Sequence, residues 1–260
     1  MYIDAHCHLT DDYTAVGGVD EVIKRAKQAG VQRMICSGYD LLSSQTASKL
    51  AEKHDGVYFC AGFHPSEWSK YQEGDFEKLK ALCHHEKCVA VGEIGLDYHF
   101  DDNPSPQTQR RGFIEQLRIA RELKKPVVLH SRDAAQETLE ILMDNRDCLQ
   151  NGALLHCYSY SAEMVERFGE LGVYFSFGGP CTFKNANKVV QSVARVPSNR
   201  ILSETDCPYL TPAPHRGEFP NQPVFVTHIT ARLAEIRAVT VDEMKKQIWQ
   251  NAETLFFNKG

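Results

Sequence analysis

Eight short β-rich runs, each followed by a longer amphipathic stretch, predict an α/β chain closed into a single (β/α)8 TIM barrel. Two further observations point the same way. A length of 260 residues is short for two ordinary domains but usual for one barrel, so one domain over residues 1–260 is expected. Several runs, such as Val127-Val128-Leu129, are apolar throughout rather than alternating, as parallel strands buried on both faces require. A doubly wound sheet is the alternative. It would need a glycine-rich phosphate loop after the first strand, where this chain has His6-Cys7-His8.

The expected strands are Tyr2–His6, Arg33–Ser37, Val57–Gly62, Val89–Glu93, Val127–His130, Ala153–His156, Val173–Phe177 and Ile201–Asp206. Their starts lie about 20 to 40 residues apart, which leaves room for one helix in each gap. Between the first two strands, Val19–Ala29 reads as a helix ending at Gly30, a glycine suited to a C-cap. Between the fourth and fifth, Gln107–Leu123 starts after Pro106 and stops before Pro126. Its Phe113, Leu117, Ala120 and Leu123 recur at helical spacing on one face. After the last strand comes Cys207–Pro223, with prolines at 208, 212, 214, 220 and 223. A long stiff loop there is expected to wall the substrate side rather than to mark a domain boundary. Near the C-terminus, Thr240 and Glu243 form a capping-box pattern ahead of Met244, Ile248 and Leu255.

Composition excludes several function classes. With 42% hydrophobic and 24% charged residues and a mean hydropathy of -0.38, the chain has no apolar run approaching a membrane span. The start, Met1-Tyr2-Ile3-Asp4-Ala5-His6, lacks the basic and apolar regions of a secretory signal, so a cytoplasmic protein is expected. Nine cysteines, an odd number without a Cys-x-x-Cys, read as thiols in a reducing compartment. A net charge of -5 argues against coating nucleic acid through a broad basic face, though not against handling a strand end at a metal centre.

The chemistry sits at the ends of the expected strands. In barrel enzymes reactive groups lie where strands give way to the following loops. Five of the eleven histidines fall there: His6, His8, His64, His130 and His156. Glu93 closes the fourth strand and Asp206 the eighth. In an extended chain His6 and His8 point to one side, about 7 Å apart at Cα, and can chelate one ion. Taken singly, each histidine is more often a packing residue; converging on one mouth, they form a mixed N/O site for divalent metal. Four histidines (His6, His8, His130, His156) and two carboxylates exceed what one catalytic zinc takes, so two ions are expected. Glu93 is the natural bridge, because its strand lies between the first strand and the fifth and sixth. Asp206 neighbours the first strand around a closed barrel and is expected on the His6–His8 ion.

Glu204 precedes Asp206 by two residues, so its charge is expected to point inward and to serve the ions, their water or a fixed partner, as a supporting residue or a catalytic acid or base. His64 stands just beyond its strand in Phe63-His64-Pro65 and is assigned to substrate. Arg132, two residues after His130, is a candidate to hold a phosphate oxygen. Lys184 and Lys188 read as a solvated helix face. Cys7, Cys157 and Cys207 each follow a candidate ligand, and alternation turns each away from it.

These motifs resemble those of the TatD-type metal-dependent deoxyribonucleases. The matching stretches are Ile3-Asp4-Ala5-His6-Cys7-His8, Gly62-Phe63-His64-Pro65, Gly92-Glu93-Ile94-Gly95-Leu96-Asp97-Tyr98, Leu129-His130-Ser131-Arg132-Asp133-Ala134, His156-Cys157-Tyr158-Ser159, Gly178-Gly179 with Thr182-Phe183, and Ser203-Glu204-Thr205-Asp206-Cys207-Pro208-Tyr209-Leu210. They run in family order through nearly the whole chain. The resemblance implies a TIM barrel, a two-metal site of His6, His8, Glu93, His130, His156 and Asp206, and hydrolysis of phosphodiesters with Mg2+, Mn2+ or Zn2+. It further implies 3′–5′ exonuclease action on DNA, a phosphate contact at His64 and an effect of Glu204 on activity. Tyr160 departs from the glycine usual there, and implies a narrower mouth after the sixth strand. The stretch holding Arg216-Gly217 and Asn221 is one residue longer than usual, which leaves a role for Arg216 open.

The expected function is therefore a metal-dependent phosphodiesterase in which Glu93 bridges two divalent ions and Asp206 positions the attacking water. The expected partner is a nucleic-acid strand end, in the first place DNA, with no membrane and no obligate protein partner. The alternative is an amidohydrolase, lactonase or aminoacyl-tRNA deacylase on the same two-metal barrel. Such enzymes often bridge their ions with a carboxylated lysine, where this chain has Glu93. A non-catalytic adaptor that inherited the fold would be expected to have lost some of the six ligands.

Overall fold

A computed structural model of the chain describes residues 1–10 and 13–258. Among them the β-rich runs form eight strands: β1 (Tyr2–Cys7), β2 (Val31–Ser37), β3 (Val57–Ala61), β4 (Cys88–Asp97), β5 (Val127–Arg132), β6 (Ala153–Leu155), β7 (Tyr174–Phe177) and β8 (Ile201–Ser203). They hydrogen-bond in chain order, and every neighbouring pair is parallel. Such pairing needs a crossover after each strand. Helices supply most of them: α1 (Val19–Gln28), α2 (Leu41–Lys53), α3 (Asp75–Cys83), α4 (Pro106–Glu122), α5 (Ala135–Asp144), α6 (Ala162–Gly169) and α7 (Asn187–Arg195). Two more, α8 (Val226–Ile236) and α9 (Val241–Ala252), follow the proline-rich loop. The result is the expected (β/α)8 barrel. Among the described residues no helix is long and apolar enough to cross a membrane.

The seam between β8 and β1 closes through the residues that follow β8 and the end of β1. The Asp206 amide donates to the His6 carbonyl at 3.0 Å, and the His8 amide to the Cys207 carbonyl at 2.7 Å. Below them the buried Asp4 carboxylate accepts from the Thr205 amide at 2.9 Å and from its hydroxyl at 2.6 Å. A side chain here replaces ladder bonds that the short β8 does not make.

Local chemistry sets the helix ends. Ser105 caps α4 ahead of Pro106, accepting the Thr108 amide at 3.3 Å. On α4, Phe113, Leu117 and Ala120 are buried as their spacing requires, while Leu123 is only half-buried beyond the helix. The capping box at Thr240 forms, with reciprocal bonds between Thr240 and Glu243. Val127, Val128 and Leu129 are all fully buried, because β5 has barrel interior on one side and helices on the other.

Two of the irregularities in strand pairing bear on the site. In β1, Ala5 and His6 together face only Ile35, between the pairs Asp4–Met34 and Cys7–Cys36. In β4, Gly92 and Glu93 together face only Val128, between Val91–Val127 and Ile94–Leu129. Each is a bulge, and each sits where the sequence places a metal-ligating residue. β4 also continues four residues past Glu93, so Glu93 does not close its strand as expected. Its continuation needs Gly95: φ there is +143°, and a Cβ would lie 1.9 Å from the His130 carbonyl oxygen. The sixth and eighth strands are shorter than expected. β6 stops before His156 and β8 before Glu204, because the chain turns into left-handed backbone at Cys157 (φ 45°) and Asp206 (φ 52°).

Candidate metal centre

Glu93 stands at the middle of the strand ends, 3% exposed. Its Oε1 lies 2.8 Å from His130 Nδ1 and 2.8 Å from His156 Nε2. Its Oε2 lies 3.3 Å from His6 Nε2 and 3.6 Å from His8 Nε2. Asp206 Oδ1 completes the second side, 3.4 Å from His8 Nε2 and 3.7 Å from His6 Nε2. The six residues thus gather into two lobes that share one carboxylate. One lobe holds His6, His8 and Asp206, and the other His130 and His156. The rings of His6 and His156 stack between the lobes, 3.9 Å apart at their centroids.

The backs of three of the four rings are held, and this decides which nitrogen faces inward. His8 Nδ1 donates to the Ser37 carbonyl at 3.0 Å, which leaves the lone pair on Nε2. His6 Nδ1 meets the hydroxyl of the same Ser37 at 3.1 Å. His130 Nε2 faces Asp97 Oδ2 at 3.2 Å, so its Nδ1 turns toward Glu93. His156 Nδ1 is buried without a hydrogen-bond partner, 3.6 Å from Glu204 Oε1. Inward lone pairs crowd accordingly: His6 Nε2 and His8 Nε2 are 3.2 Å apart, and so are His130 Nδ1 and His156 Nε2. Two bare ring nitrogens that close repel unless a proton or cation lies between them. Four imidazoles, three of them oriented from behind, and two carboxylates suit borderline divalent ions.

The electrostatics fit a site that carries positive charge. Burial raises the Glu93 carboxyl, but the imidazoles of His156, His64 and His6 outweigh it and hold Glu93 well below the usual carboxylate range. Asp206 is likewise raised by burial and brought down overall by its contact with His8 and the neighbouring imidazoles. Burial, with His130 alongside, pulls the His64 imidazole down to about 3, so this ring is neutral. Its Nδ1 accepts the Ser66 amide at 3.2 Å, which puts its proton on Nε2. That Nε2 lies 3.6 Å from Glu93 Oε1 and presents an N–H to the cleft.

The cleft above the centre has a volume of about 600 Å³, and His8, His64, Glu93, His130, His156 and Asp206 line it. Arg132 lines it too, at the exposed end of β5, with its guanidinium 5.1 Å from the centre of the Phe100 ring. Glu204 is not in the cleft. It is fully buried behind His156, accepting the Cys157 amide at 2.6 Å and the Ser176 hydroxyl. Its inward direction is as expected, but β8 ends at Ser203, one residue earlier, and Glu204 supports His156 rather than entering the cleft as an acid or base. Lys184 and Lys188 are exposed and away from the cleft lining. Arg216 lies over the Phe183 ring at 4.1 Å. Tyr160 is not among the residues that line the cleft. Its hydroxyl instead meets Ser131 Oγ at 2.9 Å and accepts the Ala134 amide at 3.2 Å, tying down the loop after β5. Among the described residues no disulfide forms. Cys7 donates to the Ile35 carbonyl at 3.4 Å, away from the histidines beside it.

Two residues of the centre escape the sequence reading. Ser37 closes β2 and serves both His6 and His8. Its only sequence signal is position, at the end of a strand that otherwise contributes nothing to the mouth. Asp97 lies four residues past Glu93 on β4, inside a motif already noted, and its carboxylate faces a histidine that the sequence places alongside.

Known proteins resemble the chain over nearly its whole length. A protein-family model described as TatD related DNase matches residues 3–257. An uncharacterized metal-dependent hydrolase of Bacillus subtilis, YabD, is 38% identical over 256 residues, covering 98% of this chain and 99% of its own. A protein of Klebsiella pneumoniae named 3'-5' ssDNA/RNA exonuclease TatD is 34% identical over 241 residues, 91% of each chain. Among solved structures, the TatD homolog YjjV of Escherichia coli superposes with a TM-score of 0.91 at 32% identity, covering 98% of this chain and 97% of that one.

Proposed function

The chain belongs to the TatD-related DNases, a family of metal-dependent hydrolases, and on that premise we propose that it removes nucleotides from strand ends by phosphodiester hydrolysis, on DNA and in the 3′–5′ direction, with two divalent ions (Mg2+, Mn2+ or Zn2+). One observation carries the reading to two ions: the two oxygens of Glu93 are divided between two imidazole pairs, Oε1 to His130 and His156 and Oε2 to His6 and His8. The relative named as an exonuclease supports the strand end as substrate. In this reading the enzyme works in the cytoplasm.

Two divalent ions bound at such a centre would supply Lewis acidity toward the phosphate and an activated water near neutral pH. The chain's own residues do the rest. His6, His8 and Asp206 would hold one ion and His130 and His156 the other, with Glu93 within reach of both groups. Asp206, whose side chain is 15% exposed toward the cleft, is placed to take the proton of the attacking water. His64 donates from Nε2 to a phosphate oxygen without adding charge. Arg132 adds a cation at the rim, where the leaving strand continues into solvent. Glu204 touches no solvent; it acts through His156, as Asp97 acts through His130.

The test is digestion of end-labelled single-stranded DNA with each metal, against an EDTA control. Stepwise shortening from the 3′ end that EDTA abolishes is expected. Intact DNA beside cleavage of an aminoacyl-tRNA or a lactone would move the chain to the alternative class.

A further inference from the structure

The cleft walls carry aromatic surface that the metal centre does not use. Phe100 is 51% exposed and Tyr209 55% exposed, and both line the same cleft as His64 and Glu93. Phe100 follows β4 and Tyr209 follows β8, four strands apart in a ring of eight, so they stand on opposite walls. Leaving a large aromatic ring in water forgoes burial, and a pair flanking a polar site marks a surface built for contact.

Phe100 is also held in place. Arg132 lies over its ring at 5.1 Å, and His99 meets it edge-on at 4.7 Å. His99 is itself fixed, its amide bonded to Asp97 Oδ1 at 2.9 Å and its Nδ1 to Asp133 Oδ2 at 2.8 Å. Further along, Asn103 donates to the Asp97 carbonyl at 3.1 Å. Across the cleft, the exposed Phe219 ring lies 6.4 Å from Tyr209 and extends that wall. A flat ring backed by a guanidinium is a platform on which any nucleobase can stack, since every base has a π-face.

We propose that the two bases flanking the scissile phosphodiester are bound by stacking, one on the Phe100–Arg132 pair and the other on Tyr209. This rests on the phosphodiesterase reading and adds how the strand is gripped. Bases on opposite walls must be splayed apart, so the site takes an unpaired end and accepts every base. Phosphate binding at the centre and base binding at the walls are separate contacts, and the walls set affinity rather than chemistry.

The experiment compares a single-stranded oligonucleotide with one whose last two nucleotides are abasic, using the metal-loaded wild type, Phe100→Ala, Tyr209→Ala and Phe100→Tyr. The wild type is expected to favour the normal end by about tenfold or more in kcat/KM, the scale of one or two stacked bases. Each alanine variant should raise KM on the normal end by a larger factor than on the abasic end and so shrink the preference between them, and Phe100→Tyr should restore it. Equal treatment of both ends by the wild type, or a preference that survives both alanine variants, would overturn the proposal. Fluorescence anisotropy of the two labelled oligonucleotides separates the outcomes. Loss of cleavage altogether counts against the phosphodiesterase reading, whereas equal binding of normal and abasic ends counts against the stacking walls.

Discussion

At the scale of single residues, the centre depends on one carboxylate with two jobs. Replacing Glu93 by Gln keeps the shape but removes an anionic oxygen from one lobe. Even partners behind metal ligands are worth about 10- to 100-fold, so Glu93→Gln should lower metal-dependent cleavage by more than a hundredfold or so, with circular dichroism unchanged. Wild-type rates in Glu93→Gln and Asp206→Asn would refute the assigned roles. The residues behind the rings make a finer test. Ser37→Ala removes the hydroxyl at His6 Nδ1 but keeps the carbonyl at His8 Nδ1, and Asp97→Asn weakens the hold on His130. Each should loosen one ion by about 10- to 100-fold in a competition titration, and excess metal should recover activity. The paired spacing of His6 and His8 is legible in the sequence because a strand repeats every two residues. Ser37 is not, because it works through a carbonyl that every residue owns and a hydroxyl whose partner lies 31 positions away.

At the scale of elements, bulges and glycines decide where the ligands aim. The bulge at Gly92-Glu93 breaks the alternation of β4 and directs Glu93 to the mouth from within the strand. Beyond it, Gly95 lets the strand pass the His130 carbonyl. Gly95→Ala would force a Cβ to 1.9 Å from that oxygen at a backbone angle of +143°. Overpacking costs about 1–3 kcal/mol and left-handed strain adds to it, so Tm should fall by about 5 °C or more on calorimetry. An unshifted Tm would mean that β4 and β5 can part locally. The expected strands matched the observed ones in number and order because their apolar content is what buries them. Their ends differed because the last residues of β6 and β8 are set by turns at Cys157 and Asp206, where the chain leaves the ladder beside the candidate ligands His156 and Asp206. Glu204 shows the consequence: just past the end of β8 it is buried behind His156, where it supports that ring and does not reach the cleft as an acid or base.

At the scale of the molecule, charge is concentrated rather than spread. The chain is at -5, and the candidate phosphate contacts are few: the metals, His64 and Arg132. Proteins that make about 6–10 phosphate contacts lose about 10³- to 10⁵-fold in affinity between roughly 50 and 200 mM salt. Here the loss of oligonucleotide affinity over that range should be less than about tenfold, read by anisotropy; a steep slope would point to a basic face that the charge balance denies. Stripping the ions with EDTA should abolish cleavage and lower Tm, because an ion bound only by the folded state stabilises it. Closure of the barrel also belongs to this scale. Asp4 ties β1 to Thr205 across about 200 residues of chain, and no local pattern announces that bond.

The sequence by itself determined the architecture, the family resemblance and the identity of the residues that meet at the mouth. Strand and helix periodicities are local, and ligand types announce themselves by chemistry and by position at strand ends. Tertiary structure alone decided which nitrogen of each histidine faces inward, that Glu93 divides its oxygens between two lobes, that Asp97 and Ser37 stand behind the rings, and that Glu204 does not reach the cleft. Those facts depend on bulges, turns and through-space partners that lie far apart in the chain, and only closing the barrel brings them within hydrogen-bonding distance.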